Sequence, residues 1–184
     1  MAEHILFSGH MIDKKGRSSP RFPASKAVAA GVAIRGALEK ILKGLSPSKF
    51  SGIAGAACGG DILFHEACRD LGIPSEVYLG MPVDEFNKTS VSFAGKDWEE
   101  RYYRLVNTLP VHILFPEATA DAKPEIWEKA NEWMLKAALA GGGAHMTLIA
   151  LWDGNRGETG GARQMIDAAK AQDARIEILD IKTI

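Results

Sequence analysis

The chain has 184 residues, of which 46% are hydrophobic and 24% are charged, a balance that is ordinary for one soluble globular domain with a full core. Lysine and arginine number 22 against 23 aspartate and glutamate, and the net charge of -1 argues against a general electrostatic affinity for nucleic acid or anionic membranes. No apolar run approaches the roughly eighteen residues that a membrane span requires, and the N-terminus has no signal-peptide pattern, so we expect a cytoplasmic location and no membrane partner.

The first predicted element is a strand over residues 4–9, which we expect to be central and to run into a functional turn at Ser8, Gly9 and His10. A polar loop with a positive edge follows over residues 11–24. Its basic residues are Lys14, Lys15, Arg17 and Arg21. Because this loop follows the carboxyl end of a strand, Arg21, held between two prolines in PRFP, is a candidate phosphate or carboxylate contact, with a structural salt bridge as the alternative.

Residues 25–45 predict a crossover helix with Ser25 as its N-cap. Its apolar residues at helical intervals are Val28, Val32, Leu38, Ile41, Leu42 and Leu45. Gly31 and Gly36 lower the helix propensity, so we expect them to permit close packing on the sheet.

The stretch from Phe50 to Leu71 predicts a buried strand, a loop of small residues and a helix with Asp61 at its N-cap. Glycines let a ligand approach the backbone, and a helix N-terminus attracts an anion such as phosphate. We therefore predict a ligand-binding loop over residues 55–61. The alternative is packing in a tight crossover, and the loop matches neither GxGxxG nor GxxxxGK[ST].

Two cysteines, Cys58 and Cys68, lie ten residues apart and are separated by the predicted helix, so we expect free thiols. A zinc site that also uses His65 is the alternative, but this spacing matches no usual ligand pair. We predict no metal and no cofactor.

Residues 76–79 predict a strand, and Pro82, shortly after its end, is a candidate ligand contact. Residues 83–108 are a candidate lid insertion over the sheet edge, with a short helix or loop at 84–91 and an aromatic, charged helix at 97–107. The alternative is that this helix packs its aromatic side chains into the core. Arg101 and Arg104 share a helix face, which leaves one of them available for an anion.

The remaining predicted elements are strands at 112–115, 146–152 and 176–179 and helices at 125–140 and 162–172. The run MTLIALW at 146–152 is typical of a strand buried on both faces of a parallel sheet. It leads into a second glycine-rich loop, at 153–161.

About six strands that alternate with helices predict one α/β domain over residues 1–184, with a doubly wound, mostly parallel sheet, helices on both faces and a Rossmann-like architecture. Loops that follow parallel strands lie at the same edge, so the three loops should converge on one crevice. The candidate ligand-binding residues are Ser8, Gly9, His10, Arg21, Gly55, Ala56, Cys58, Gly59, Gly60, Asp61, Pro82, Arg101, Asp153, Gly160 and Gly161.

Two of these loops resemble those of a known superfamily. The letters AGAACGGD at 54–61, followed by His65, resemble the SGxAxGID…AH stretch of the Smf/DprA proteins. The Thr159-Gly160-Gly161 loop after a buried strand resembles the PGGxGTxxE region of the LOG phosphoribohydrolases and the lysine-decarboxylase-like proteins. Both groups belong to the SLOG superfamily of Rossmann-like domains, and the segments SGHMID, PRFP and AACGGDILFHEA look closest to its members found beside signalling modules.

The resemblance implies a pocket for a nucleotide or a nucleotide-derived ligand, with phosphate on the turns at 55–61 and 160–161. The LOG enzymes cleave a base from a ribose 5′-monophosphate with an arginine and the glutamate that ends their motif. This chain lacks the Gly-Thr of that motif and has Asp167 in place of the glutamate. Asp167, or Glu66 on the opposite helix, remains a candidate catalytic carboxylate, although Glu66 is equally a candidate helix-surface charge.

We therefore expect a domain that binds a nucleotide-derived ligand, as a sensor or a processing module. The alternatives are a nucleotide N-glycosidase that uses Glu66 or Asp167, nucleic-acid binding as in the Smf/DprA proteins, and a partner-binding domain with an empty crevice. The near-neutral net charge argues against nucleic acid. A homo-oligomer is expected only because related domains often form one.

Overall fold

The computed structural model describes residues 3–155 and 161–184, and its strands form one six-stranded sheet. The strands are β1 (Glu3–Gly9), β2 (Phe50–Ala54), β3 (Ser75–Leu79), β4 (Val111–Ile113), β5 (Met146–Trp152) and β6 (Arg175–Asp180). Their order across the sheet is β4-β3-β2-β1-β5-β6, and every neighbouring pair is parallel. The predicted parallel α/β sheet is confirmed.

Helices cover both faces of this sheet. They are α1 (Ala27–Leu42), α2 (Gly60–Leu71), α3 (Val83–Ser90), α4 (Lys96–Thr108), α5 (Glu125–Ala138) and α6 (Ala162–Lys170). One core cluster joins α1, α2, α3 and α4 to the sheet, and a second joins α5 and α6 to its other face. Within residues 3–155 and 161–184, no helix has both the length and the apolar character needed to cross a membrane.

The order of the strands creates a switch point in the middle of the sheet. From β1 the chain proceeds outward through β2, β3 and β4, and it then returns to place β5 on the other side of β1. The connections therefore leave the carboxyl ends of β1 and β5 in opposite directions. Open α/β sheets bind their ligands in the crevice that forms at such a point.

The central strands are apolar on both sides because both sides are covered. In β5, Leu148 and Ala150 pack in the cluster with α5 and α6, whereas Ile149 and Leu151 pack in the other. All four side chains are fully buried. This arrangement explains why the segment reads as a continuous apolar run and not as an alternating one.

The predicted apolar face of α1 is partly wrong. Val28 and Val32 are 81% and 67% exposed, and the buried stripe contains Ala30, Ile34, Ala37, Leu38 and Leu42. Continued at intervals of four residues, the valine stripe meets Gly36 and Lys40, so it is too short to form an apolar helix face. The stripe through Ile34 continues into Leu38 and Leu42 and supplies the larger apolar surface.

Three further predictions for this helix need correction. Ser25 is not the N-cap, because it lies inside a short 3-10 turn at Ala24–Lys26, and α1 ends at Leu42 instead of Leu45. Apart from the backbone of its own helix and its two neighbours in the chain, no atom lies within 4 Å of a β-carbon placed at Gly36, so this glycine does not mark a close packing contact. At Gly31 such a carbon would meet Leu63 of α2 at 3.4 Å, so the contact there is with a helix and not with the sheet.

The segment predicted as a lid folds as α3, a short 3-10 turn at Ser92–Ala94, and α4. Trp98 and Tyr102 of α4 are buried, as the core-packing alternative predicts. The Tyr102 hydroxyl donates to the Val83 carbonyl oxygen at 2.8 Å and so ties α4 to the start of α3. A lid movement of this segment stays a prediction.

Candidate functional site

A cavity of about 280 Å³ lies at the switch point, between the carboxyl ends of β1 and β5, and we call it the switch-point cavity. Its lining includes Ser8, Gly9, His10, Met11, Arg21, Gly55, Asp61, Trp127, Asn131, Met134, Trp152, Gly161 and Arg163. Residues from the ends of β1, β2 and β5 thus meet here, as the convergence of the three loops predicts. The described part of the third loop contributes Gly161, and Gly160 lies outside the described residues.

A second cavity, of about 460 Å³, adjoins the first beneath α3, and we call it the aromatic cavity. Tyr78, Phe86 and Trp127 contribute its aromatic walls. The two cavities share six lining residues, namely Met11, Gly55, Asp61, Trp127, Asn131 and Met134. They are therefore two parts of one crevice, and Gly55 and Asp61 lie where they meet.

Asp61 is the ionisable group at this junction. It is not the N-cap of α2, because Gly59, with a φ of 108°, occupies that position and the helix begins at Gly60. The Asp61 carboxylate Oδ2 accepts the Ala57 N–H at 3.1 Å, and it would lie 2.7 Å from a β-carbon at Gly55. Any side chain at Gly55 would displace this carboxyl.

Burial raises the pKa of Asp61 to about 7, and the hydrogen bond from Ala57 opposes this effect only in part. The carboxyl therefore changes charge near neutral pH at the junction of the two cavities. A carboxyl with such a pKa can both donate and accept a proton under ordinary conditions, which is the property required of a general acid or base.

His65 of α2 fixes the backbone next to this carboxyl. Its Nε2 lies 2.9 Å from the Gly55 carbonyl oxygen, and its Nδ1 lies 3.0 Å from the Ser75 hydroxyl. Burial lowers the pKa of His65 to about 4, so the ring is neutral. The Nε2–H then donates to Gly55, and the hydroxyl of Ser75 donates to Nδ1.

The cysteines lie apart from this chemistry. Cys58 and Cys68 are free, buried thiols, so the prediction of free thiols is confirmed. Burial raises the pKa of Cys58 to about 12 and that of Cys68 further. Within the described ranges, no group of three His, Cys, Asp or Glu residues could hold a metal ion, and both ring nitrogens of His65 are already hydrogen-bonded.

The middle of the glycine loop packs against the chain itself. The Gly60 N–H donates to the His10 carbonyl oxygen at 3.2 Å, and the Ile12 N–H donates to the Cys58 carbonyl oxygen at 3.0 Å. A β-carbon at Gly59 would lie 2.9 Å from the Ile12 nitrogen, and one at Gly60 would lie 2.9 Å from the Phe7 ring. These two glycines thus accommodate the segment that follows β1.

Only the two ends of the loop, Gly55 and Asp61, reach the switch-point cavity, and Ala57 reaches the aromatic cavity. Ala56, Cys58, Gly59 and Gly60 are buried and line neither cavity. The packing alternative therefore describes the middle of the loop, and the ligand-binding prediction concerns its ends.

His10 lines the switch-point cavity, and its Nε2 lies 3.3 Å from Oδ1 of Asp153, which is buried and does not line that cavity. This is an ion-pair distance without hydrogen-bonding geometry at Nε2. Burial lowers the pKa of His10, so its ring is neutral at neutral pH. Burial acts to raise the pKa of Asp153, but hydrogen bonds from Asn155 and the contact with His10 lower it overall.

Two arginines bring positive charge to the switch-point cavity. Asp13 Oδ2 accepts the backbone N–H groups of Arg21 and Phe22 at 2.9 and 2.8 Å, which fixes the loop that carries Arg21. Among residues 3–155 and 161–184, no carboxylate forms an ion pair with the Arg21 guanidinium. The Asp13 carboxylate that fixes the Arg21 backbone pairs with the Arg17 side chain. Arg163, at the start of α6, pairs with Asp167 one turn later, at 2.7 Å.

The two predicted catalytic carboxylates do not line either cavity. Glu66 forms a two-pronged ion pair with Arg101, with Nε–Oε1 and Nη2–Oε2 distances of 2.9 and 2.5 Å, and this pair joins α2 to α4. Arg101 also lies 4.0 Å from the Trp98 ring centroid. Asp167 is exposed on α6, and Pro82 precedes α3 without lining either cavity.

The sequence analysis missed Trp127, Trp152 and Arg163 as candidate site residues. In a parallel α/β sheet, helices begin at the edge where strands end, so the first turn of each helix lies near a crevice at that edge. Trp127 is the third residue of α5, Arg163 is the second of α6, and Trp152 ends β5. Their positions within the predicted elements were the available signal.

No protein-family model matches this sequence, and no curated protein matches it. Among solved structures, DNA processing protein A (DprA) from Streptococcus pneumoniae has a TM-score of 0.55 over 96% of this chain, at 12% sequence identity. This chain spans 50% of the DprA chain. An ABC transporter solute-binding protein from Agrobacterium vitis, with bound allitol, reaches a TM-score of only 0.21 at 15% identity, over 96% of this chain and 75% of its own, and carries no argument. The likeness to DprA shows a shared Rossmann-like fold, which is the fold that the sequence predicts.

Proposed function

We propose that this chain binds a nucleotide or a nucleotide-derived small molecule, with the phosphate in the switch-point cavity and the base in the aromatic cavity. The observation that carries the proposal is that two arginines, Arg21 and Arg163, line the switch-point cavity and not the aromatic cavity, whereas Tyr78 and Phe86 line the aromatic cavity and not the switch-point cavity. Gly55 and Asp61 lie where the two cavities meet. A nucleotide matches this arrangement, with its phosphate at the arginines, its base at the aromatic rings and its ribose between them.

Arg21 and Arg163 support a phosphate at the switch-point end. A guanidinium binds phosphate oxygens through two parallel hydrogen bonds, and the Arg21 loop is already fixed by Asp13. Gly161 and Ala162, at the start of α6, also line this cavity. The backbone N–H groups of a helix N-terminus favour an anion at that position.

The aromatic cavity supports a flat, weakly polar group such as a base. Phe86 and Trp127 lie edge to face, with their ring centroids 5.8 Å apart, and the Tyr78 ring lies on the sheet side of the same cavity. Aromatic walls with a few polar groups at the rim are typical of sites for ring-containing ligands. Thr89 and Ser90 supply hydroxyls at this end.

Binding can be measured by calorimetry and thermal shift with AMP, GMP, CMP and UMP, because a ligand at a hundred times its dissociation constant adds about 2.7 kcal/mol of stability. We expect Arg21→Gln to weaken the best ligand at least about tenfold, since a charge-assisted hydrogen bond contributes about 1.5–3 kcal/mol. Trp127→Leu should weaken it as well. Arg35→Gln, an exposed change on α1, is the matched control.

Absence of binding by the wild-type protein would contradict the proposal. Unchanged affinity in both Arg21→Gln and Trp127→Leu would show that any ligand binds elsewhere. If Arg35→Gln lowered the ligand affinity as much as Arg21→Gln does, the effect at Arg21 would reflect only the change of net charge.

A nucleotide N-glycosidase is a second candidate, and the raised pKa of Asp61 favours it. In that reaction the bond between C1′ of ribose and the base nitrogen breaks, the oxygen of water bonds to C1′, and a proton passes to the base. Asp61 would supply the proton transfer from its place at the junction of the cavities. Glu66 and Asp167 line neither cavity, and they pair with Arg101 and Arg163, respectively.

Chromatographic assay of free base from a panel of nucleoside monophosphates tests this candidate. Activity that disappears in Asp61→Asn and persists in Glu66→Gln and Asp167→Asn would support Asp61. No base release at high protein concentration would leave binding as the function.

A further inference from the structure

A third cavity, of about 400 Å³, lies beside the switch-point cavity, and we call it the basic cavity. It is formed by the loop that follows β1, together with Phe93 from the turn between α3 and α4. It shares His10, Met11 and Arg21 with the switch-point cavity. Arg21 therefore lies on the boundary between them.

The charge of this cavity is strongly one-sided. Four cationic side chains line it, against a single carboxylate, Asp13, in a chain whose net charge is -1. That carboxylate is already engaged, because Oδ2 accepts two backbone N–H groups and Oδ1 lies 3.5 Å from Arg17. The cations are Lys14, Lys15, Arg17 and Arg21.

One of these cations is held against the wall of the cavity. Lys14 lies 5.1 Å from the ring centroid of Phe93, which holds its ammonium over the cavity wall. His10 adds no positive charge at neutral pH, because burial lowers its pKa. The excess charge therefore belongs to lysine and arginine side chains gathered round one concave space, which is the environment that a phosphate requires.

We infer that the ligand carries a second anionic group, which extends past Arg21 into the basic cavity, and that it is a nucleoside diphosphate or a diphosphate-linked nucleotide conjugate. This inference rests on the proposed function. A monophosphate would occupy the switch-point cavity alone and leave the basic cavity without an anion. A diphosphate places one phosphate on each side of Arg21, where a single guanidinium contacts both.

Calorimetric titration of AMP and ADP against the wild-type protein, Lys15→Gln and Lys170→Gln tests the inference. Lys15 is exposed and lines the basic cavity, whereas Lys170 is exposed at the far end of α6, so the two changes remove the same charge at opposite edges of the sheet. We expect ADP to bind wild type at least about tenfold more tightly than AMP. Lys15→Gln should reduce this ratio at least about threefold, and Lys170→Gln should leave it unchanged.

The outcomes separate the two proposals. Equal affinity for AMP and ADP overturns the diphosphate inference and leaves the proposed function intact. Absence of binding by ADP and by each of AMP, GMP, CMP and UMP overturns both. A single-stranded oligonucleotide that displaces ADP, and whose own affinity falls in Lys15→Gln, assigns the basic cavity to nucleic acid and overturns the inference.

Discussion

Replacing Asp61 by asparagine should change how the stability of the protein depends on pH. The substitution keeps the shape of the side chain and an oxygen that accepts the Ala57 N–H, but it removes the titrating proton. In the folded protein the pKa of Asp61 is about 7, against 3.8 for the unperturbed carboxyl. Between these two values the folded state holds a proton that the unfolded state has released.

The sign and the size of the effect follow from this difference. Because the folded state binds more protons in that window, the Asp61 contribution to the free energy of unfolding falls as pH rises from 3.8 to about 7. About three pH units at about 1.36 kcal/mol each give about 4 kcal/mol. This value of about 4 kcal/mol is an upper limit, because Asp61 lines two cavities and solvent there weakens the effect of burial. Asp61→Asn lacks this loss, so its stability relative to wild type should increase with pH by up to about 4 kcal/mol.

Urea unfolding of both proteins at several pH values between 4 and 8 measures the difference. Groups other than Asp61 titrate in both proteins and cancel. Asp70→Asn, an exposed change on the same helix, is the matched control. A stability difference for Asp61→Asn that does not vary with pH would show that the carboxyl is not held protonated, and it would remove the reason to assign it proton transfer.

Three further changes test the surroundings of the site. The pKa of His65 is about 4 in the folded protein against 6.5 for the unperturbed ring, so its contribution to the free energy of unfolding should fall by about 3 kcal/mol as pH decreases from 6.5 to 4. Urea unfolding of His65→Gln should lack this loss, and a pH profile equal to that of wild type would contradict the prediction. Gly60→Ala should lower the melting temperature, at a cost of about 1–3 kcal/mol, because its β-carbon meets the Phe7 ring; an unchanged melting temperature would show that the loop adapts freely. Glu66→Gln should destabilise the fold by about 1–3 kcal/mol, because Arg101 loses its charged partner, and leave nucleotide affinity unchanged; weaker binding in calorimetry would return Glu66 to the site.

The sequence predicts the sheet well because its signals are local and periodic. The apolar run of β5 and the glycine-marked ends of the strands are enough to place the parallel elements and the edge on which the loops meet. The face of α1 was mispredicted because two apolar stripes lie on one helix. The length of a stripe, and not its spacing, decides which one packs on the core.

The candidate site is less visible in the sequence, because its parts depend on distant contacts. A glycine that lines a cavity and one that packs against the chain itself look the same in a sequence, as Gly55 and Gly60 do until the positions of Phe7 and His10 are known. Glu66 carries a carboxylate that could be catalytic, and the sequence does not show that it is paired, because its partner Arg101 lies 35 residues away. The sequence predicts that Asp61 is a helix N-cap, whereas its raised pKa results from burial, which depends on the folded structure.

Fluorescence titration with nucleotides tests the central claim most directly. Of the four tryptophans, Trp127 and Trp152 line the switch-point cavity, and Trp127 also borders the place proposed for the base. We predict saturable quenching of the wild-type emission that is largely lost in Trp127→Phe and retained in Trp98→Phe, whose ring is buried beside Arg101. No quenching by ADP or by any of AMP, GMP, CMP and UMP, or equal quenching in Trp127→Phe, would contradict nucleotide binding in this crevice.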